Sequence, residues 1–210
     1  MADSAEQPGT FFDLIRHGEP EGGRKYRGLI DDPLSDQGWQ QMQAQVFESD
    51  QWDAVLTSPL KRCADFAASV AEARGLPLLE EPDLREMSFG DWDGHSPEAI
   101  ARETPEALQA FWRDPVHCPP PGGENISVFY RRVEGAMMHW REQLEGQRTL
   151  LVCHGGVIRM ILGMVMATPL EHAMGAVSVP FACRSRIRMD RIAETSEWLS
   201  CLIAHQPGNP

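Results

Sequence analysis

The chain alternates short apolar runs with amphipathic stretches, the pattern of strands and helices assembled into an α/β sheet. Phe11 to Ile15 reads as a buried strand, followed by a Gly-rich, basic loop through Gly28. Gln37 to Glu48 is predicted to be a helix and Ala54 to Leu56 a short strand. Ser58-Pro59 reads as a helix start, with Ser as the cap and Pro in the first helical position. The helix after it carries Leu60, Cys63, Ala64, Ala67 and Ala71 at helical spacing, a stripe of small residues that can lie close to a sheet.

The clearest helix is Asn125 to Leu144, with Ile126, Phe129, Tyr130, Val133, Met137, Trp140 and Leu144 on one face. Thr149 to Cys153 is the next strand and Val157 to Met166 the next helix; Val177–Val179, Ser185–Met189 and Trp198–Ile203 are expected as late strands. The expected fold is α/β, a mostly parallel central sheet with helices on both faces. One domain over 11–205 would carry flexible tails at 1–10 and 206–210. Between His95 and Gly123 lies a Pro-punctuated insertion with short helical pieces and a PPPGG turn, placed to cap a site.

Composition narrows the function. Nineteen basic against 31 acidic residues leave a net charge of −12, which argues against a nucleic-acid binder or an anionic-membrane binder. Seventeen of the 19 basic residues are Arg, the better fork for phosphate or carboxylate oxygens. The five cysteines (63, 118, 153, 183 and 201) are scattered, with no C-x-x-C pair and no zinc spacing, as expected of a soluble protein in a reducing cytoplasm.

The informative feature is a near-repeat. Leu14-Ile15-Arg16-His17-Gly18 and Leu151-Val152-Cys153-His154-Gly155 each carry a buried strand straight into His-Gly. In open parallel sheets ligands sit beyond the carboxyl ends of the strands, so both imidazoles should emerge where chemistry is done. Each following Gly lets backbone approach a ligand, and Gly155-Gly156 opens a helix whose free N–H groups suit an anion. Arg16 and Arg62 add two anion-binding forks. Glu86, in the apolar turn Leu84–Gly94, is a carboxyl group that partial desolvation would let hold a proton near neutral pH. Asp91 and Asp93 are competing acids that spacing alone does not exclude.

Four blocks, LIRHGE (14–19), SPLKR (58–62), LREMSFGDWDG (84–94) and VCHGG (152–156), together resemble the histidine phosphatase superfamily, which includes phosphoglycerate mutases. RGLIDDPL (27–34) with Gly38-Trp39, and PPPGGE (119–124), are most similar to α-ribazole-5′-phosphate phosphatases of cobalamin synthesis. The resemblance implies a phosphomonoester hydrolase that needs no cofactor or metal. In it His17 takes up the phosphoryl group, and Arg16, Arg62 and His154 bind its oxygens with Gly155 beside them. Glu86 would protonate the leaving group and then activate water. The partner implied is a small phosphorylated substrate; the oligomeric state stays open, a homodimer included.

The chain departs from the pattern where many relatives carry a phosphate-contacting Asn after the RHGE block. Here the run is Pro20-Glu21-Gly22-Gly23, so Arg27 or a glycine amide such as that of Gly28 is expected in its place. Cys63 and Cys153 read as small packing residues. The alternatives are a broad-specificity phosphatase, a mutase or sugar bisphosphatase, and, outside enzymes, an inactive phospho-ligand binding module.

Overall fold

The computed structural model describes residues 9–192, 195 and 197–207. The strands are β1 (Thr10–Arg16), β2 (Ala54–Thr57), β3 (Leu78–Glu80), β4 (Arg148–Cys153), β5 (Arg184–Arg191) and β6 (Trp198–Gln206). They form one sheet in the order β3-β2-β4-β1-β5-β6. The pairs β3–β2, β2–β4 and β4–β1 are parallel; β5 is antiparallel to both β1 and β6. The expected tails lie largely outside the described residues, though Thr10 already belongs to β1 and Gln206 still belongs to β6.

Helices cover both faces, as the near-continuous apolar strands require. Phe12, Leu14, Leu56, Leu151 and Cys153 face α5 (Ile126–Gln143) and α6 (Gly155–Val165). Ile15, Val55, Leu150 and Val152 face α1 (Asp36–Gln43) and α2 (Lys61–Arg74). Helix α5 starts where the sequence places it, because the Asn125 side chain accepts from the Ser127 amide. Helix α1 is shorter than predicted: Ser35 caps its start and the chain turns after Ala44. Two further helices, α3 (Pro97–Glu103) and α4 (Pro105–Arg113), lie in the 95–123 segment; α7 (Leu170–Ala173) is a single turn. None of the described helices is long and apolar enough to cross a membrane.

Two sequence expectations are corrected. Helix α2 begins at Lys61, not at Ser58-Pro59, and its N-cap residue is Leu60, which makes no side-chain cap. Asp31, thirty residues upstream, accepts from the Lys61 amide at 2.7 Å instead, which leaves the Ser58 hydroxyl for another partner. The segment Val177–Val179 is not a strand, because side chains rather than a neighbouring strand take its carbonyls. Arg159 Nε donates to Val177, His205 Nε2 to Ser178 and an Arg16 nitrogen to Val179, at 3.1, 2.9 and 2.6 Å.

One polar group interrupts the buried face of β1. Asp13 accepts from Trp52 Nε1 at 2.7 Å and pairs with Arg184 and Arg186; Arg184 also pairs with Asp50. Each buried charge therefore has a partner, the condition under which such groups are tolerated.

Candidate active site

The sheet register places the two histidines. Arg16 on β1 lies opposite Cys153 on β4, so the next residues, His17 and His154, leave the sheet side by side. Their rings meet edge to face with centroids 5.3 Å apart. His17 Nδ1 lies 2.8 Å from the Gly18 carbonyl oxygen, which can only accept. The proton therefore sits on Nδ1, and Nε2 carries the free lone pair. Burial, then the charges of Arg62 and Arg16, hold His17 well below the usual histidine range. The glycine after it serves packing rather than ligand approach: a Cβ on Gly18 would overlap the backbone of Gly38 in α1.

His154 is fully buried and hydrogen-bonds Ser58 Oγ through Nε2 at 2.7 Å. Burial and the Arg62 charge also hold it well below the usual value. Sequence reasoning took Ser58 for a helix cap; its hydroxyl in fact orients this ring.

Arg62 projects from the first turn of α2 and is fully buried. Its terminal nitrogens donate to the carbonyls of Ile30 (2.7 Å) and Gly28 (3.1 Å), while Nε has no partner. Arg16 donates to Val179 and stacks 4.3 Å over the Phe181 ring, and its Nε is likewise buried and unpartnered. Burial pushes the Arg16 guanidinium down to about 10, against the raising effect of Glu86. Buried guanidinium nitrogens without acceptors on both arginines mark where an anion belongs.

Glu86 stands at the same cavity. Its Oε1 accepts from the Met87 amide and its Oε2 from the Gly156 amide, each at 3.0 Å. One of the two amides expected to greet an anion at the start of α6 is thus committed to Glu86. Arg132 of α5 holds the loop from behind, donating to the carbonyls of Asp83, Arg85 and Glu86 and pairing with Glu124. The competing acids are elsewhere. Asp91 is exposed, and Asp93 accepts from the Gly28 amide.

Arg27 reaches the cavity wall, but most of its donors are spent on its own loop, on Asp32 (2.8 Å) and the carbonyls of Glu21 (2.5 Å) and Gly23 (2.6 Å). Gly28 does not line the cavity. Its amide faces Asp93 and its carbonyl faces Arg62, so it supports the arginine instead of offering its amide to a ligand. Burial pushes the thiols of Cys63 and Cys153 well up, consistent with packing roles.

The cavity measures about 180 Å³ and brings together Arg16, His17, Glu86 and Gly155; Arg62 and His154, both fully buried, do not line it, and the His154 ring stands behind it against His17. Sequence reasoning missed two cations on its wall, Lys25 and Arg159. Arg159 was legible in principle, one helical turn beyond Gly155 on α6 and so on the same side. Tyr26, Phe89 and the exposed Trp112 of α4 supply an aromatic rim, with Tyr26 and Phe89 in edge contact at 4.9 Å. Phe111, by contrast, packs inward on Trp92. Among the described residues no three His, Cys, Asp or Glu side chains gather as a metal-binding group.

Residues 12–200 match the family profile of the histidine phosphatase superfamily (branch 1). The chain belongs to this superfamily. It is similar to the adenosylcobalamin/alpha-ribazole phosphatase of Escherichia coli (strain K12), 32% identical over 182 residues, 85% of this chain and 89% of that protein. Phosphoserine phosphatase 1 of Hydrogenobacter thermophilus is 32% identical over 162 residues, 75% of this chain and 77% of the relative. Among solved structures, the alpha-ribazole phosphatase of Shigella flexneri superposes with a TM-score of 0.78 at 29% identity, covering 95% of this chain and 99% of that one. This superfamily member is a phosphatase and shares the fold of its relatives.

Proposed function

We propose that this phosphatase hydrolyses a small phosphomonoester through a phosphohistidine on Nε2 of His17, without a metal ion, and that its substrate is α-ribazole 5′-phosphate. One observation carries the mechanism: a neutral imidazole with its proton fixed on Nδ1, beside two buried arginines that each keep an unpartnered Nε. A neutral ring is the nucleophilic form, and phosphoryl transfer is mostly positioning and charge stabilisation.

In the first step His17 Nε2 bonds to phosphorus as the ester P–O bond breaks, and Glu86 gives a proton to the departing oxygen. In the second, the Glu86 carboxylate takes a proton from water as its oxygen attacks phosphorus. The N–P bond then breaks, and phosphate and free His17 are released. Arg16, Arg62 and His154 hold the charge on the phosphoryl oxygens throughout; losing one such donor costs about 10²–10³ in rate.

The substrate assignment is supported by the aromatic rim of Tyr26, Phe89 and Trp112, suited to a flat apolar base, and by the likeness to two alpha-ribazole phosphatases. This reading places the enzyme in nucleotide-loop synthesis of cobalamin, in the cytoplasm, where its five separate thiols belong. A second reading has its own observation. Lys25, which pairs with Asp32 at 2.8 Å, lines the cavity and could turn to an ester bearing a carboxylate, and one relative is named a phosphoserine phosphatase.

Initial rates on α-ribazole 5′-phosphate, O-phosphoserine, 3-phosphoglycerate and an aryl phosphate test the assignment. A kcat/KM for α-ribazole 5′-phosphate at least about a hundredfold above the others is the expected result. A preference for O-phosphoserine transfers the assignment to the second reading, and equal rates overturn both.

A further inference from the structure

Two guanidinium groups on the cavity wall are not used by the mechanism above: Arg27, which spends most of its donors on its own loop, and Arg159. Arg159 anchors its Nε on the Val177 carbonyl and leaves NH1 facing the space beside Gly155. A Cβ built on Gly155 would lie 3.3 Å from Arg159 NH1 and 3.2 Å from Arg16 Nε. Because residue 155 is glycine, its face toward the cavity is bare, and the two nitrogens flank the space above it, within reach of an oxygen resting against the Gly155 Cα. Arg16 Nε is one of the buried donors without a partner.

Two like charges face this notch. Arg159 is among the groups that lower the Arg16 guanidinium, and burial lowers Arg159 itself. Among the described residues no carboxylate forms an ion pair with Arg16, Arg62 or Arg159. Glu86 stands at the same cavity and acts on both arginines, but it is in ion-pair contact with neither, so these converging, desolvated cations are arranged for a further oxyanion.

We infer that Arg159 is a third guanidinium of the phosphoryl clamp, donating from NH1 to a phosphoryl oxygen that sits in the Gly155 notch and also accepts from Arg16 Nε. The inference rests on the phosphatase reading of this site and adds a residue to it. It also gives Gly155 a task, since a methyl group there would crowd the oxygen and both guanidinium groups. The Arg159 Nε bond to Val177 fixes the direction of the fork. The Val177–Val179 segment thus steadies two clamp arginines through its carbonyls.

The test uses inorganic phosphate as the probe, with Arg159→Gln, Arg159→Lys and Gly155→Ala. Phosphate affinity is read by calorimetry and by competitive inhibition, and kcat/KM by hydrolysis of an aryl phosphate and of O-phosphoserine. Arg159→Gln and Gly155→Ala should each weaken phosphate binding by about 10- to 100-fold, the worth of a hydrogen bond to a charged group. Both esters should lose kcat/KM by a similar factor, with Arg159→Lys in between. Gly155→Ala also presses on Arg16, so Arg159→Lys, which keeps the charge and a donor, decides the matter if Arg159→Gln folds poorly. Unchanged phosphate affinity in Gly155→Ala, or a loss confined to O-phosphoserine, overturns the inference. Wild-type protein that hydrolyses neither these two esters nor α-ribazole 5′-phosphate would fail the phosphatase reading itself; active wild type with silent variants fails only the role of Arg159.

Discussion

Glu86 Oε2 accepts a hydrogen bond from the Gly156 amide at 3.0 Å, which ties the proposed acid to the first turn of α6. The contact works only with glycine at 156, because a Cβ there would collide with Glu86 Oε1. Gly156→Ala should therefore displace the carboxylate and lower kcat by about 10²-fold, in the range of lost acid–base catalysis. Helix stability should be equal or better, since alanine favours a helix by about 0.5–1 kcal/mol over glycine. Kinetics and thermal unfolding on the same preparation check both; an unchanged kcat would detach Glu86 from the chemistry.

Ser58 and His154 form a buried pair at 2.7 Å. In Ser58→Ala the His154 Nε2 loses its partner in a site closed to solvent, at a cost of about 1–3 kcal/mol. Urea unfolding should show that loss with an unchanged m-value, and kcat should fall about tenfold as the ring loses its orientation. A stability loss without a rate effect would confine His154 to structure.

The two histidines also set a pH dependence of stability. Both are buried neutral and held well below the usual value by desolvation and Arg62. An unfolded histidine takes up a proton near pH 6.5, while the folded one does not. Stability should thus be fully present above about pH 6.5 and fall as pH drops from there toward the folded values, by up to about 1.4 kcal/mol per pH unit for each ring. Asp13 acts at lower pH. Burial would raise it, but hydrogen bonds from Arg186 and Trp52 and the Arg184 charge outweigh that and hold it below 3.8. Its contribution is present above that value and lost as pH falls below it. Urea titrations at pH 7.5, 6 and 5 measure the histidine part, and a flat profile would contradict neutral burial.

Trp112 is exposed on the cavity rim, where the proposed substrate gives it a part in recognition. Trp112→Ala should raise KM for α-ribazole 5′-phosphate by about 3- to 10-fold, the worth of one aromatic contact, and leave KM for O-phosphoserine nearly unchanged. Equal effects on the two esters would remove the rim from substrate choice.

The site was legible where it depends on strand ends. His17 and His154 announce themselves because a buried run breaking into His-Gly can only end at the carboxyl edge of a parallel sheet, and the β1–β4 register then brings them together. Arg62 and Glu86 read from the sequence as an anion-binding fork and a desolvated acid, and the family blocks strengthen that reading, since one arginine in a helix and one acid in a turn carry little signal alone. Ser58 was missed because its role is set by a folded contact between segments far apart in the chain, whereas the helical spacing of Arg159 from Gly155 carried a signal. The fold was legible for the same reason: strands buried on both faces show as continuous apolar runs. Val177–Val179 has the composition of a strand, yet three side-chain donors compete for its carbonyls, and no sequence pattern reports that. Leu78–Glu80, only three residues long at the sheet edge, gave no periodicity to read.

The claim that His17 is the phosphoryl acceptor is tested most directly by trapping. Enzyme mixed with a radiolabelled aryl phosphate and quenched in base within milliseconds should yield a phosphoprotein that is stable to alkali and labile to acid, with the label in the peptide containing His17. Glu86→Gln should accumulate more of it, because its breakdown needs a base, and His17→Ala should give none and turn over no substrate. Label on another residue, or turnover that survives in His17→Ala, would contradict the account.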